Sequence, residues 1–184
     1  MTTFELTPEL IDDFHQDGYL IVRELFDPQE IAGLLSFAKA DATLADEAYV
    51  RRDSGGGETR LALRNDLDDT VPYTAVVRSQ RIVQAMQILL GDEVYHYHHK
   101  MMIKQPRIGG AWEWHQDYGY WYNFGCLFPD MGSCMVAVDQ ATTENGCLQV
   151  LKGSHKLGRV DHVRIGEQVG ADPERVKAAR QRFE

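Results

Sequence analysis

The spacing of apolar residues changes along the chain, and each change marks an element. Thr7-Pro8-Glu9 opens the first helix, with Thr7 as N-cap and Pro8 at the first helical position. Leu10 stands where a capping-box Glu or Gln would reach back, so that box is incomplete. Leu10, Ile11 and Phe14 form a helical stripe, and Gly18 ends it in the left-handed conformation that glycine adopts cheaply. Tyr19 to Val22 reads as a short strand. Asp27-Pro28-Gln29-Glu30 repeats the start signal, now with Glu30 completing the box. Ile31, Leu34, Leu35 and Ala38 predict an amphipathic helix that ends before Tyr49. Arg51 to Thr59 is polar around Gly55-Gly56-Gly57 and predicts a mobile loop. It is not a phosphate loop, because no Lys-Ser/Thr follows the glycines. Thr70 to Leu90 reads as mostly helical, with Ser79 capping its second part and Gly91 closing it.

From Glu93 the period becomes two. Glu93 to Gln105 predicts a strand carrying His96, His98 and His99. His96 and His98 share one face of such a strand and His99 takes the other, so the three cannot converge. His98, Lys100, Met102 and Lys104 share one face of that strand. Lys100 and Lys104 read equally well as solubilising residues on an exposed edge. After a turn over Pro106 to Gly110 comes Trp112-Glu113-Trp114-His115-Gln116-Asp117, read as a further strand. Tyr118 to Asp130 is aromatic and irregular, and is expected to form a lid. Ser133 to Ala141 and Cys147 to Lys152 read as strands joined through an Asn145-Gly146 turn. Asp172-Pro173-Glu174 starts a last helix, with Val176 and Phe183 as its apolar contacts.

At 184 residues the chain fits one domain with a sizeable core. A net charge of −9 leaves no basic footprint, which argues against nucleic acid and anionic membranes as partners. No apolar run reaches the length of a membrane span, and the first residues lack the pattern of a signal peptide. The three cysteines, Cys126, Cys134 and Cys147, have no zinc-like spacing and read as free thiols in a reducing compartment. A cytoplasmic location follows from these readings.

Candidate chemistry centres on His115 and Asp117. On an extended strand residues i and i+2 face the same way, so an imidazole nitrogen and a carboxylate oxygen would lie side by side. That supplies two thirds of the 2-His-1-carboxylate facial triad of non-heme Fe(II) sites. A His-x-Asp pair also arises by chance, and Trp112, Trp114 and Tyr120 around it read more readily as core than as pocket wall. His155 could complete a different metal site, and His162 is a weaker candidate.

Three ordered motifs narrow the reading: W-H-Q-D-Y-x-Y-W from Trp114, V-D-Q-A-T-x-E-N-G-C-L from Val138, and G-S-H-K-x-G from Gly153. With F-x-x-D-G-Y-L-I-V from Phe14 and H-H-K-M-M-I-K-Q-P from His98, they resemble the phytanoyl-CoA dioxygenase family over most of the chain. The resemblance implies an α+β protein built on a double-stranded β-helix (jelly roll) with N-terminal helices packed on it. It implies a single domain, 1–184, mainly helical over 1–92, with a partial β-helix core and a C-terminal helix over 93–184. It implies Fe(II) on His115 and Asp117, with 2-oxoglutarate and O2 as co-substrates and hydroxylation of a small-molecule or acyl substrate. Because related halogenases lack a carboxylate at that position, Asp117 points to hydroxylation. The strand bearing His98 and Lys104 would line the 2-oxoglutarate end of the pocket, and Trp121 would touch co-substrate or substrate. By the same resemblance His155 is structural. The family's distal strands, third-ligand histidine and 2-oxoglutarate-binding arginine are not recognisable before Glu184, so the β-helix is expected to be incomplete at its C-terminal side and the chain a fragment of a longer protein or a truncated gene product. The competing reading is a non-catalytic or degenerate β-helix that binds a small molecule without turnover.

Overall fold

The computed structural model describes residues 4–183. Helix α1 spans Pro8–Asp17; the Thr7 side chain accepts from Leu10 N at 3.4 Å, and Gly18 closes the helix at φ 83°. Helix α2 spans Pro28–Ala40. Its capping box is complete: Asp27 accepts from Gln29 N and Glu30 N, and Glu30 accepts from Asp27 N at 2.8 Å. Asp41 then caps α3, Ala42–Glu47, and also accepts from the Tyr73 hydroxyl at 3.0 Å. Helices α4, Pro72–Val77, and α5, Gln80–Leu90, follow, with Gly91 left-handed at φ 74°. Ser79 stands at the N-cap position of α5 but its side chain makes no capping bond. Arg81 ties α5 to α2 through both carboxylate oxygens of Glu30.

Residues 19–22 form no strand. The expected loop over Arg51 to Thr59 is largely a hairpin. Strand β1, Tyr49–Arg52, pairs antiparallel with β2, Glu58–Arg64, and β2 pairs with β3, His99–Ile103. Only the glycine tip turns, and it is tied: the Asp53 carboxylate accepts from Gly55 N, Gly57 N and Ala111 N. The core lies between this sheet and the helices, where Leu34, Leu44, Ala62 and Tyr73 are buried against Phe37, Val76, Met101 and Ile103. Both faces of β2 are covered at its centre: Ala62, register partner of Met101, belongs to this core, while Thr59 and Leu61 are buried on the opposite face.

The distal part departs from expectation. The turn over residues 143–146 forms, with Gly146 at φ 79° and Asn145 Oδ1 accepting from Thr142 N at 2.8 Å. Ser133 to Ala141 and Cys147 to Lys152 nevertheless make no strand ladder. A strand exists only through partners, and the described residues supply none here. Met135, Leu148 and Val150 are consequently 62%, 57% and 48% exposed. A second, unforeseen hairpin follows: β4, His162–Ile165, and β5, Gln168–Ala171, with Gly166 at φ 61° in a two-residue loop. Helix α7, Pro173–Phe183, ends the described chain. The architecture is α+β with short antiparallel strands and no closed barrel among the described residues. None of its helices is long and apolar enough to cross a membrane.

Candidate metal centre

His115 and Asp117 converge, though not by the route expected. Neither lies on a laddered strand: His115 sits in extended chain, and Asp117 is the first residue of a short helix, α6, Asp117–Trp121. His115 Nε2 lies 3.4 Å from Asp117 Oδ1. The other ring nitrogen, Nδ1, is 2.8 Å from Glu113 O. A carbonyl can only accept, so Nδ1 carries the proton and Nε2 is the free donor atom. With metal–nitrogen and metal–oxygen bonds of about 2.0–2.2 Å, one ion spans both donors. The second oxygen of Asp117 accepts from the Ser133 hydroxyl, which leaves Oδ1 for a monodentate bond. Burial pushes the Asp117 carboxyl up, but the adjoining His115 ring, the bond from Ser133 and the charge of Lys100 outweigh it and hold the group well below the usual carboxylate range. A carboxylate oxygen beside an imidazole nitrogen is a donor set that hard and borderline divalent ions take.

Trp121, four residues past Asp117 on α6, lies on the same helical face. With His98, Tyr97, Leu63 and Asn65 it lines a pocket of about 310 Å³. The rings of His98 and Trp121 meet at 4.8 Å, edge to face. Burial, and then the Lys100 charge, push the His98 imidazole below its ordinary value, toward the neutral form. Lys104 is placed elsewhere: its Nζ donates to Gly146 O at 3.0 Å, on the 143–146 turn. Lys100, exposed on β3, is the cation whose charge reaches both Asp117 and His98.

Neither remaining candidate histidine joins the pair. His155 Nε2 donates to His15 O at 3.0 Å, at the end of α1. His162 is nearer. Its ring stacks on Tyr120 at 4.5 Å, and Tyr120 in turn lies 5.2 Å from His115. Its Nε2, however, accepts the backbone N–H of Gln116 at 3.1 Å. No group of three or more His, Cys, Asp or Glu side chains able to hold a metal occurs among the described residues. The pair thus fits two adjacent coordination positions of one ion.

Sequence reasoning did not mark Ser133 or the β4–β5 hairpin. Ser133 carries no local signal, since its role depends on chain folding back to Asp117. The hairpin did carry one, the alternation His162-Val163-Arg164-Ile165 and Gln168-Val169-Gly170-Ala171 about Gly166-Glu167.

Comparison with known proteins shows the family to which the chain belongs. Residues 14–183 match the family model for Phytanoyl-CoA dioxygenase (PhyH), and the chain belongs to that family. It is 38% identical over 168 residues to the L-proline trans-4-hydroxylase of Streptomyces griseoviridis, covering 86% of this chain and 59% of that protein. It is 26% identical over 178 residues to the ectoine dioxygenase of Stutzerimonas stutzeri (strain A1501), covering 92% of this chain and 55% of that protein. A probable alpha-ketoglutarate-dependent hypophosphite dioxygenase of Stutzerimonas stutzeri is 27% identical over 165 residues, covering 84% of this chain and 56% of that protein. The chain therefore spans between half and three fifths of the length of these relatives.

Proposed function

We propose that this chain carries the metal-binding part of an Fe(II)/2-oxoglutarate-dependent dioxygenase that hydroxylates a small molecule in the cytoplasm. The observation that carries the reading is the convergence of His115 Nε2 and Asp117 Oδ1 at 3.4 Å, with Nδ1 tied off by Glu113 O. When bound, Fe(II) with 2-oxoglutarate and O2 supplies the oxidising power that yields succinate, CO2 and a hydroxylated substrate. His115 and Asp117 would each give the ion one bond. Ser133 holds the free oxygen of Asp117 and so fixes the direction of the other. The third protein ligand lies outside residues 4–183 in this reading, because no third His, Cys, Asp or Glu side chain stands with the pair among the described residues. The extended arms 133–141 and 147–152 would be strands of a double-stranded β-helix, one domain over 1–184, and complete their ladders against chain not described here.

His98 and Trp121 form the wall of the co-substrate or substrate pocket, which has the size of a site for a small metabolite. Lys100 supplies the charge for a carboxylate there, with Lys104, whose Nζ donates to Gly146 O, as the second candidate cation. The likeness to the proline hydroxylase and ectoine dioxygenase favours a small amino acid or a cyclic derivative over an acyl thioester. The test is succinate release from 2-oxoglutarate by the intact protein, with Fe(II) and O2, on L-proline and on ectoine. Turnover that requires iron and is abolished in Asp117→Ala supports the reading. Binding of 2-oxoglutarate without any succinate would instead identify a non-catalytic binding protein.

A further inference from the structure

The metal pair sits on backbone outside any strand ladder, yet that backbone is held along both edges. In extended chain the carbonyl of residue i and the amide of residue i+2 point to the same edge. Ala111 O and Glu113 N form one such edge pair. Both are met by a single side chain: Gln168 Nε2 donates to Ala111 O at 2.9 Å, and Glu113 N donates to Gln168 Oε1 at 2.9 Å. Gln168 is only 2% exposed, so its amide replaces the missing strand in a dry place. Trp114 O and Gln116 N form the pair on the opposite edge. Ala171 N donates to Trp114 O at 2.7 Å, and Gln116 N donates to His162 Nε2 at 3.1 Å. His162 and Ala171 are themselves register partners in β4–β5.

The bracing is reciprocal. The Gln116 side chain takes the edge of the hairpin's own approach: its Nε2 donates to Gly158 O at 3.2 Å, and Val160 N donates to its Oε1 at 2.8 Å. Two glutamine amides thus stand in for ladder rungs in opposite directions. Between them lies His115, whose peptide neighbours are fixed on both sides, and directly after them comes Asp117. Gly119 closes the arrangement, since a Cβ there would fall 2.0 Å from the His162 ring.

We infer that Gln116, His162 and Gln168 are positioning residues for the metal pair: they set the backbone so that His115 Nε2 and Asp117 Oδ1 meet one ion. The inference rests on the metal reading above, and concerns residues that touch neither metal nor substrate. The alternative is that the braces hold only the fold.

The test uses the intact protein with Co(II) as a probe, followed by its visible absorption bands, in Gln116→Ala, His162→Leu and His162→Gln, with thermal melting of each. Gln116→Ala and His162→Leu should weaken Co(II) binding by about tenfold or more, the range that follows loss of an outer-shell partner. Their bands should also shift, because the donors no longer meet at the same angle. His162→Gln places an amide oxygen within reach of Gln116 N and should recover most of the affinity. Gln116 is only partly buried, so its variant keeps the test open should His162→Leu fail to fold. Folded variants whose Co(II) affinity stays within about twofold of the parent, with unshifted bands, overturn the inference. Should the parent bind no Co(II) that Asp117→Ala removes, the metal reading itself falls and takes the inference with it; the two failures are told apart by the parent protein alone.

Discussion

His115 and Asp117 were legible as a pair because His-x-Asp is a local pattern, but what holds them there was not. Gln116 is extended, as a two-residue strand repeat requires, yet no ladder flanks it and Asp117 already begins α6. Lys100 and Lys104 were read on one strand face; the bond of Lys104 Nζ to Gly146 O, 42 residues on, has no signal in the local sequence. Asp117→Ala should abolish most Fe(II) binding, measured by titration against a chelator, because it removes a charge as well as a bond. An unchanged affinity would rule out the assignment of the pair. Trp121→Ala should weaken 2-oxoglutarate or substrate binding while lowering stability less than the roughly 3–5 kcal/mol that a fully buried aromatic costs. The ring is part of a pocket wall and only half-buried, so a loss of that full size with unchanged ligand affinity would make it core.

At the scale of elements, what the sequence reveals is what is settled within a few residues. Thr7, Asp27, Gly18 and Gly91 mark helix ends by bonds to their own neighbours, and all four do so in the structure. Ser79 stands at its cap position without the bond. The β1–β2 hairpin was hidden because its glycine tip has the composition of a loop, while the Asp53 bonds that order it include one to Ala111 N, 58 residues away. Asp27→Ala should cost about 0.5–2 kcal/mol in chemical denaturation, the usual effect of losing an N-cap. Glu30 serves the same box and also accepts from Arg81, bonds that lower its pKa to about 2. A carboxyl lowered in the folded state stabilises above its unfolded pKa, about 4.3, and that contribution is lost as pH falls toward 2. NMR titration should therefore find Glu30 ionised at pH 3, and Arg81→Leu should return it toward the ordinary value. Gly18→Ala should cost more than the roughly 1 kcal/mol of a left-handed alanine, because its Cβ would also fall 2.2 Å from the His155 ring.

For the molecule as a whole, the described residues form an α+β arrangement with one three-stranded sheet and one hairpin, without the closed ladders of the jelly roll expected from resemblance. The distal arms show why: their alternation predicts strands, but strand formation is a property of two segments, and here the second is not among the described residues. The apolar side chains of Met135, Leu148 and Val150 thus stand in solvent on unpaired backbone, the combination that promotes edge-to-edge association. Val150→Lys should reduce light scattering of concentrated samples while changing stability by no more than about 0.5 kcal/mol. A steep loss of stability would show that Val150 is packed. The end of α1 has a different consequence. Its four terminal carbonyls are all taken: Phe14 O by Gly18 N, and His15 O, Gln16 O and Asp17 O by His155, Lys156 and Gly153 N. Three of those donors lie in one run more than a hundred residues downstream. During synthesis at about 5–20 residues per second, the helix leaves the ribosome several seconds before its cap exists. The first helix of the chain is therefore among the last to be completed, and a nascent chain halted before Gly153 should show fast amide exchange through α1 that becomes slow once Lys156 has emerged.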